Sequence, residues 1–195
     1  MRRRRTHVVV LVLLGVAGVA LAALQIAVDR ETAGPLEVRN PEGEAGHALV
    51  LYHPGLSDLQ EALTSAFAQG LVERDWRVSR STTSAAAPTD TAGFDLLVLG
   101  VHTYWWAPDG PTRRYLERAG DLQGLPVVVL LSALGASSRA EARSAAWVTR
   151  HGGRVLEVRP FFVLRPNDEA DPRPNRVVAL ERARELAISV DAALP

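Results

Sequence analysis

Residues 94–106 read Phe-Asp-Leu-Leu-Val-Leu-Gly-Val-His-Thr-Tyr-Trp-Trp, an apolar run that breaks at a glycine and ends in three consecutive aromatic residues. A short continuous apolar run is typical of a strand that is buried on both faces of a parallel sheet. In such sheets ligands bind in the crevice beyond the carboxyl ends of the strands. We therefore expect Tyr104, Trp105 and Trp106 to lie where a flat ring system can be stacked.

Strand-like apolar runs and helix-like amphipathic segments alternate on both sides of this stretch. Strands are predicted at residues 48–52, 76–79, 95–101, 126–131 and 154–164. Helices are predicted at residues 57–74, 111–118, 138–151 and 175–193. In the third helix the side chains expected to face the sheet are those of Ala142, Ala145, Ala146 and Trp147. The alternation predicts right-handed βαβ crossovers and an α/β fold with a mostly parallel sheet of about five strands.

The N-terminus has the pattern of a membrane anchor. Arginines at positions 2–5 precede a nearly unbroken apolar segment over residues 8–28. Because about 20 apolar residues cross the hydrocarbon of a bilayer, we expect a transmembrane helix at residues 7–28 after a cytoplasmic basic tail at residues 1–6. By the positive-inside rule the rest of the chain then lies outside the cytoplasm. The alternative is a released domain, since Ala20-Leu21-Ala22 matches the small-x-small pattern that signal peptidase cleaves.

The composition excludes several kinds of chemistry. The chain has no cysteine, which excludes thiol catalysis, iron–sulfur clusters and cysteine-ligated zinc. It has arginine but no lysine, which removes Schiff bases and a P-loop lysine. The formal net charge is +0, and the chain without its terminal arginines is mildly acidic, which argues against nucleic acid as a partner. Residues 29–46 are polar and rich in glycine and proline, and we expect them to be a linker before one domain at residues 47–195.

Several segments of that domain resemble the flavodoxin family. The resemblance rests on Leu51-Tyr52-His53-Pro54-Gly55, on Phe94-Asp95 followed by Leu96-Leu97-Val98-Leu99-Gly100, on His102-Thr103-Tyr104-Trp105, and on residues 111–116 and 122–129. It implies a flavodoxin-like three-layer sandwich with a five-stranded parallel sheet of order 2-1-3-4-5. It also implies FMN as the cofactor.

In the flavodoxin family three loops at the carboxyl edge of the sheet hold FMN, and each has a counterpart in this sequence. The phosphate loop corresponds to residues 52–57, the second loop to residues 102–106 and the third loop to residues 132–135. The cofactor-binding residues that the resemblance implies are His53, Pro54, Gly55, Leu56, Ser57, His102, Thr103, Tyr104, Trp105, Trp106, Ser132, Ala133, Leu134 and Gly135. It implies no metal ligand and no catalytic acid or base.

The phosphate loop departs from the family pattern, in which hydroxyl residues surround the glycine. Pro54 has no amide donor. Asp58 and Glu61 bring negative charge toward the place where a phosphate would meet the positive end of a helix dipole. Ser57 and Gln60 have the spacing of a capping box, which would satisfy the free N–H groups without any ligand. A phosphate site and a self-capped helix are therefore both open at this position.

The second and third loops also have alternative roles. Tyr104 and Trp105 suit stacking on a flavin ring, because aromatic contacts contribute about 0.5–1.5 kcal/mol beyond area burial. Tryptophan and tyrosine are also enriched in protein interfaces and at the membrane surface, so this loop could instead fill the core or face a partner or the membrane. Gly135 permits close approach of the backbone to a ring, or merely ends the strand before the next helix.

These observations predict a single-pass membrane protein with an extracytoplasmic flavodoxin-like domain that binds FMN and transfers electrons. The expected partners are the membrane and redox proteins or quinones, and nucleic acid is not expected. The alternative, from the departures in the phosphate loop, is a cofactor-free flavodoxin-like module that binds a protein or another ligand at the same loop edge.

Overall fold

The structure, a computed structural model, describes residues 2–194 of the chain, with side chains from Leu11 onward. The chain divides into two compact units, Met1–Arg30 and Glu31–Pro195. The first unit contains helix α1, Arg2–Asp29. Its segment Leu11–Asp29 is long and apolar enough to cross a membrane, a property that a signal sequence shares.

The second unit alternates strands and helices along the chain, as the sequence predicts. Up to residue 194 its elements are β1 Glu37–Arg39, β2 Gly46–Tyr52, α2 Leu59–Val72, β3 Trp76–Thr82, β4 Leu96–Tyr104, β5 Ala107–Pro108, α3 Gly110–Ala119, β6 Pro126–Ala133, α4 Ser138–Arg150, β7 Arg154–Phe162 and α5 Asn175–Asp191. The residues 81–93, where the sequence allowed at most a brief helix, contain turns but no helix.

The sheet has the order β1-β3-β2-β4-β6-β7, and β5 pairs with the end of β4. Strands β3, β2, β4, β6 and β7 are parallel to one another, which confirms the predicted order 2-1-3-4-5 for the parallel part. The described residues form seven strands rather than the expected five. The two additional strands are antiparallel and very short, so neither produces an apolar run in the sequence.

Strand β1 lies inside residues 29–46, the segment that the sequence assigned to a linker. It pairs with β3 in the register Glu37↔Arg80. Upstream of it, the backbone N–H of Gly34 donates to the Thr82 hydroxyl at 2.9 Å, and that hydroxyl donates to the Thr32 carbonyl at 2.7 Å. From Thr32 onward this segment is therefore held against the end of β3, and it does not form a free spacer.

Helices cover both faces of the sheet, so the domain has the three layers that the resemblance implies. On β2, Val50 points toward α2 and α5, whereas Leu49 and Leu51 point toward α3 and α4. This alternation follows from the period of two along a strand. Each such side chain contributes about 1.5–3 kcal/mol when it is fully buried.

The inward face of α4 agrees with the expected one only in part. Its buried residues are Ala140, Ser144 and Val148, spaced by four, and Trp147 packs against the core as expected, whereas Ala142 and Ala146 are exposed. The helix is rich in alanine, which is too small to distinguish a buried face from an exposed one.

Candidate functional site

The three predicted loops meet at the carboxyl edge of the sheet. The strands that precede them are neighbours, with Tyr52 opposite Gly100 and His102 opposite Ser132. The predicted residues divide into two groups by exposure. The buried members are His53, His102, Ser132 and Ala133, and the exposed members are Leu56, Ser57, Trp105, Trp106 and Leu134.

The side chain of His102 connects the three loops. Its Nδ1 lies 2.9 Å from the Ser132 hydroxyl of the third loop. Its ring is stacked on Tyr104 at 5.6 Å and meets the ring of His53 edge-on at 6.0 Å. Burial lowers the pKa of His102, and the carboxylate of Asp109 opposes this effect only in part. The imidazole is therefore uncharged at neutral pH and serves as a packing centre.

Asp109 fixes the backbone of His102, a role that the sequence reasoning missed. One carboxylate oxygen accepts the His102 N–H at 2.7 Å, and the other accepts the Thr112 N–H at 2.8 Å as the N-cap of α3. The Asp109 N–H in turn donates to the His102 carbonyl at 3.0 Å. The signal for the cap is present in the sequence, since Asp109 stands just before a proline in the first turn of a helix.

In the phosphate loop Gly55 packs directly against His102. A Cβ atom at this position would lie 2.3 Å from Nε2 of His102, closer than any non-bonded contact allows. Only glycine fits here while the imidazole keeps its place. Ahead of it, the His53 N–H donates to the Gly100 carbonyl at 3.2 Å, which continues the strand pairing into the loop.

The capping box predicted from Ser57 and Gln60 is wrong. Ser57 is exposed, and α2 has Asp58 at its N-cap with no side-chain hydrogen bond to the backbone. Gln60 is fully buried, and its Nε2 donates to the Leu130 carbonyl on β6 at 2.6 Å. The first-turn N–H groups, which no helix can satisfy internally, therefore have no side-chain cap and are available to an anion.

The negative charge at this helix start is partly neutralised. Arg176 at the start of α5 donates to both carboxylate oxygens of Asp58, at 2.9 and 2.8 Å. The hydrogen bond from Arg176 lowers the pKa of Asp58 below its usual range. Asp58 therefore forms an ion pair directed toward α5, which reduces its repulsion of an anion at α2.

The second loop is the tip of a β-hairpin formed by β4 and β5. Tyr104 pairs with Ala107, so Trp105 and Trp106 are the two central residues of the turn. Their φ angles are 51° and 59°, the left-handed backbone that such hairpin turns require and that Asn and Gly normally supply. A residue with a side chain pays roughly 1–2 kcal/mol for this conformation. Backbone strain of this kind concentrates at functional sites.

Both indoles at this tip are exposed, Trp105 by 59% and Trp106 by 60%. Trp106 forms one wall of a cleft of about 350 Å³, whose other wall, from Ala136 to Ala140, is the end of the third loop and the first turn of α4. Larger depressions of 740, 910 and 410 Å³ lie elsewhere, at the amino edge of the sheet, beside β7 and α5, and between α3 and α4. None of these is lined by any of the predicted loop residues, so the smaller cleft is the candidate ring site.

Among known proteins, similarity to this chain is found with solved structures. No protein-family model and no curated protein matches the chain. A solved flavodoxin from the domain Archaea is 16% identical with a TM-score of 0.60, over 75% of this chain and 97% of that one. The two-electron reduced flavodoxin of Megasphaera elsdenii is 16% identical with a TM-score of 0.54, over 71% and 98%.

An azoreductase from Bacillus anthracis is also similar, at 13% identity and a TM-score of 0.56, over 74% of this chain and 99% of that one. Identities this low establish the fold and leave the activity to other arguments. The unit Glu31–Pro195 has a flavodoxin-like fold.

Proposed function

We propose that this protein is a membrane-anchored flavoprotein that binds FMN at the loop edge and transfers electrons through it. The observation that carries the proposal is the presence, at one edge, of a helix N-terminus without a side-chain cap and of exposed tryptophans on strained backbone. The first feature suits a phosphate and the second suits a flat ring. The flavodoxin-like fold supports both assignments, since its solved relatives include flavodoxins.

The residues present fit FMN. The phosphate would be held by the first-turn N–H groups of α2 and by the hydroxyl of Ser57, which is exposed beside them. The ring would lie in the cleft between Trp106 and residues 136–140, next to Gly135, where an added Cβ would meet nothing within 4 Å. Bound FMN supplies one- and two-electron chemistry, while the protein orients the ring and sets its surroundings.

In this arrangement the side chains of the chain bind and position the cofactor. Tyr104 is stacked on His102 on one side, which fixes the orientation of its phenol ring. Burial raises the pKa of Tyr104, so its hydroxyl stays protonated at neutral pH. The uncharged His102 holds the three loops at fixed spacing. Partners would be redox proteins of the membrane or quinones.

A second candidate function is that of a cofactor-free module that binds a protein or another ligand at the same edge. The observation in its favour is the phosphate loop, where Pro54 lacks an N–H group and no arginine is present. The neighbouring His102 of the second loop is uncharged, so it adds no positive charge for a phosphate.

The experiment that separates the two candidates is a titration of the purified full-length protein with FMN. If the protein transfers electrons through FMN, it should turn yellow and quench the flavin fluorescence. A colourless protein with unquenched flavin would contradict this proposal. Trp106→Leu should weaken binding, because it removes the aromatic wall of the cleft. Trp147→Leu is the matched control, since this residue lies on α4 outside the cleft and should leave binding unchanged.

We further propose that α1 is a membrane anchor with its N-terminus in the cytoplasm. Its length and composition support an anchor, and the arginines at positions 2–5 support the orientation. Because the chain has no cysteine, a single Glu44→Cys substitution gives a unique label site on the domain. A membrane-impermeant thiol reagent should label it in intact cells. The mass of the mature chain distinguishes an anchor from a cleaved signal peptide.

A further inference from the structure

Large apolar side chains are exposed mainly at the loop edge of the domain. Among the described residues of the second unit, nine large hydrophobic side chains are exposed, and six of them follow the carboxyl end of a parallel strand. These six side chains, which we call the apolar edge, are those of Leu56, Trp105, Trp106, Leu134, Val163 and Leu164. A soluble domain rarely gathers exposed apolar side chains in this way unless they meet a partner or a membrane.

The members of the apolar edge are physically connected. The Val163 N–H donates to the Ala133 carbonyl at 2.9 Å, and the Leu164 N–H donates to the Leu134 carbonyl at 3.0 Å. This pairing places Leu164 beside Leu134. Gly55, beside Leu56, packs on the ring of His102 in the second loop, and that ring lies 2.9 Å from the Ser132 hydroxyl of the third loop. The edge is therefore one surface formed by four loops.

Next to the apolar side chains these loops carry no acidic residue, and Asp58, Asp168 and Asp171, which follow in the same loops, are each paired with an arginine. The segments 54–57, 104–108, 134–139 and 163–167 contain no aspartate and no glutamate, but they contain Arg139 and Arg165. The guanidinium of Arg165 lies 4.2 Å above the ring of Phe162, at the rim of the apolar edge. An apolar centre with arginine at its rim matches the surface of a bilayer, where tryptophan is enriched and arginine meets lipid phosphates.

The chain also enters the domain near this edge. Thr32 and Gly34 are hydrogen-bonded to Thr82, the carboxyl-terminal residue of β3. Thr32 is only three residues from Asp29, where the apolar helix ends. Three extended residues span at most about 11 Å, so the anchor of the proposed function would leave the point where the chain enters the domain near the bilayer.

We propose that the apolar edge rests on the lipid bilayer, with the tryptophan hairpin in the headgroup region. This inference rests on the membrane anchor of the proposed function. It gives a reason for two exposed indoles on costly backbone, because the left-handed turn directs both away from the domain core. The docking also limits the choice of electron partner. The cleft beside Trp106 then opens at the lipid surface, which suits a lipid-soluble carrier such as a quinone.

The test uses the cysteine-free full-length chain in vesicles of phosphatidylcholine and phosphatidylglycerol that contain a headgroup spin-labelled lipid. Three single-cysteine variants carry a fluorophore: Leu134→Cys and Leu164→Cys on the apolar edge, and Glu44→Cys at the amino edge as the matched control. Flotation of the vesicles first shows whether the protein is inserted. We expect labels at the apolar edge to lose most of their emission to the quencher lipid, and the label at position 44 to keep it.

A combined Trp105→Ser and Trp106→Ser substitution should reduce the quenching at position 164, since it removes the side chains that hold the edge at the lipid. Protein that floats with the vesicles but shows equal or no quenching at the three positions overturns the docking and leaves the anchor intact. Labels at the apolar edge that are shielded from solvent but not quenched by the lipid mean that a protein or a second copy covers the edge. This result also overturns the docking. Protein that fails to float overturns the anchor and the docking together, and FMN titration of the Glu44→Cys sample, whose loop edge is unchanged, reports on the cofactor separately.

Discussion

In the loop after β2, Gly55 packs against a buried imidazole and His53 is buried beside it, whereas in the loop after β4 two indoles are exposed on left-handed backbone. The first loop is shaped by close contacts that stabilise the domain. The second loop has strained backbone at two residues whose side chains contribute little to the core. The packed half of the edge therefore sets its geometry, and the strained half is available for a ligand or a membrane.

The largest expected effect comes from breaking the packed half. Gly55→Val should lower the free energy of unfolding by about 1–3 kcal/mol, because its Cβ would overlap the ring of His102. Denaturant unfolding of the full-length protein in detergent measures this loss. The same substitution in a His102→Ala background should cost much less, since the clashing ring is absent. An equal loss of unfolding free energy in both backgrounds would show that the new side chain at position 55 does not clash with His102.

Relief of the strained half should have a smaller effect of opposite sign. Trp106→Gly should raise the free energy of unfolding by about 1 kcal/mol, because glycine adopts a φ of 59° without cost. The same variant should bind FMN more weakly. Trp147→Gly, near the end of α4, should instead destabilise the protein by more than about 1 kcal/mol, because it loses helix propensity and the packing of the indole against the core. Destabilisation by both substitutions would show that the hairpin tip is not strained in solution.

The buried imidazole of His102 predicts a dependence of stability on pH. Its pKa in the folded protein is lowered by burial, so the unfolded chain binds the proton more readily. Stability from this group is complete above about pH 6.5, the ordinary histidine pKa, and is lost as the pH falls below it. His102→Asn should flatten the fall in melting temperature between neutral and acidic pH. Some slope should remain, because burial lowers the pKa of His47 as well.

The smallest effect is expected at the ion pair beside the phosphate loop. Asp58→Asn should strengthen FMN binding, because it removes a negative charge near the helix start. Arg176→Gln should weaken binding, because it leaves the Asp58 carboxylate without its partner. Both changes act on exposed side chains, so salt should diminish the difference between them. Equal affinities at low salt would mean that the phosphate does not approach α2.

The parallel part of the fold could be predicted because its strands are long apolar runs, such as Leu96–Tyr104 and Pro126–Ala133. The meeting of the three loops then followed from topology. Strand β1 could not be predicted, because Glu-Val-Arg is short, polar at both ends and defined only by its pairing with β3. An edge strand of this kind has no periodicity to detect.

The meeting of the three loops could be predicted from the sequence, whereas the contacts of their side chains could not. Gln60 has the right spacing for a cap, yet a tertiary partner on β6 takes its amide. The roles of His102 and Asp109 depend on which way their side chains point, and local sequence patterns do not determine that direction. The positive φ angles of Trp105 and Trp106 were also unexpected, because turn preferences favour small residues at both positions.

The most direct test of the central claim, that the loop edge is a flavin site, is a fluorescence titration of the full-length protein with FMN and with riboflavin, which lacks the phosphate. The account predicts that the protein quenches both flavins, because the ring site does not depend on the phosphate, and that FMN binds more tightly through the N–H groups of α2. Failure to quench either flavin at any protein concentration would contradict it.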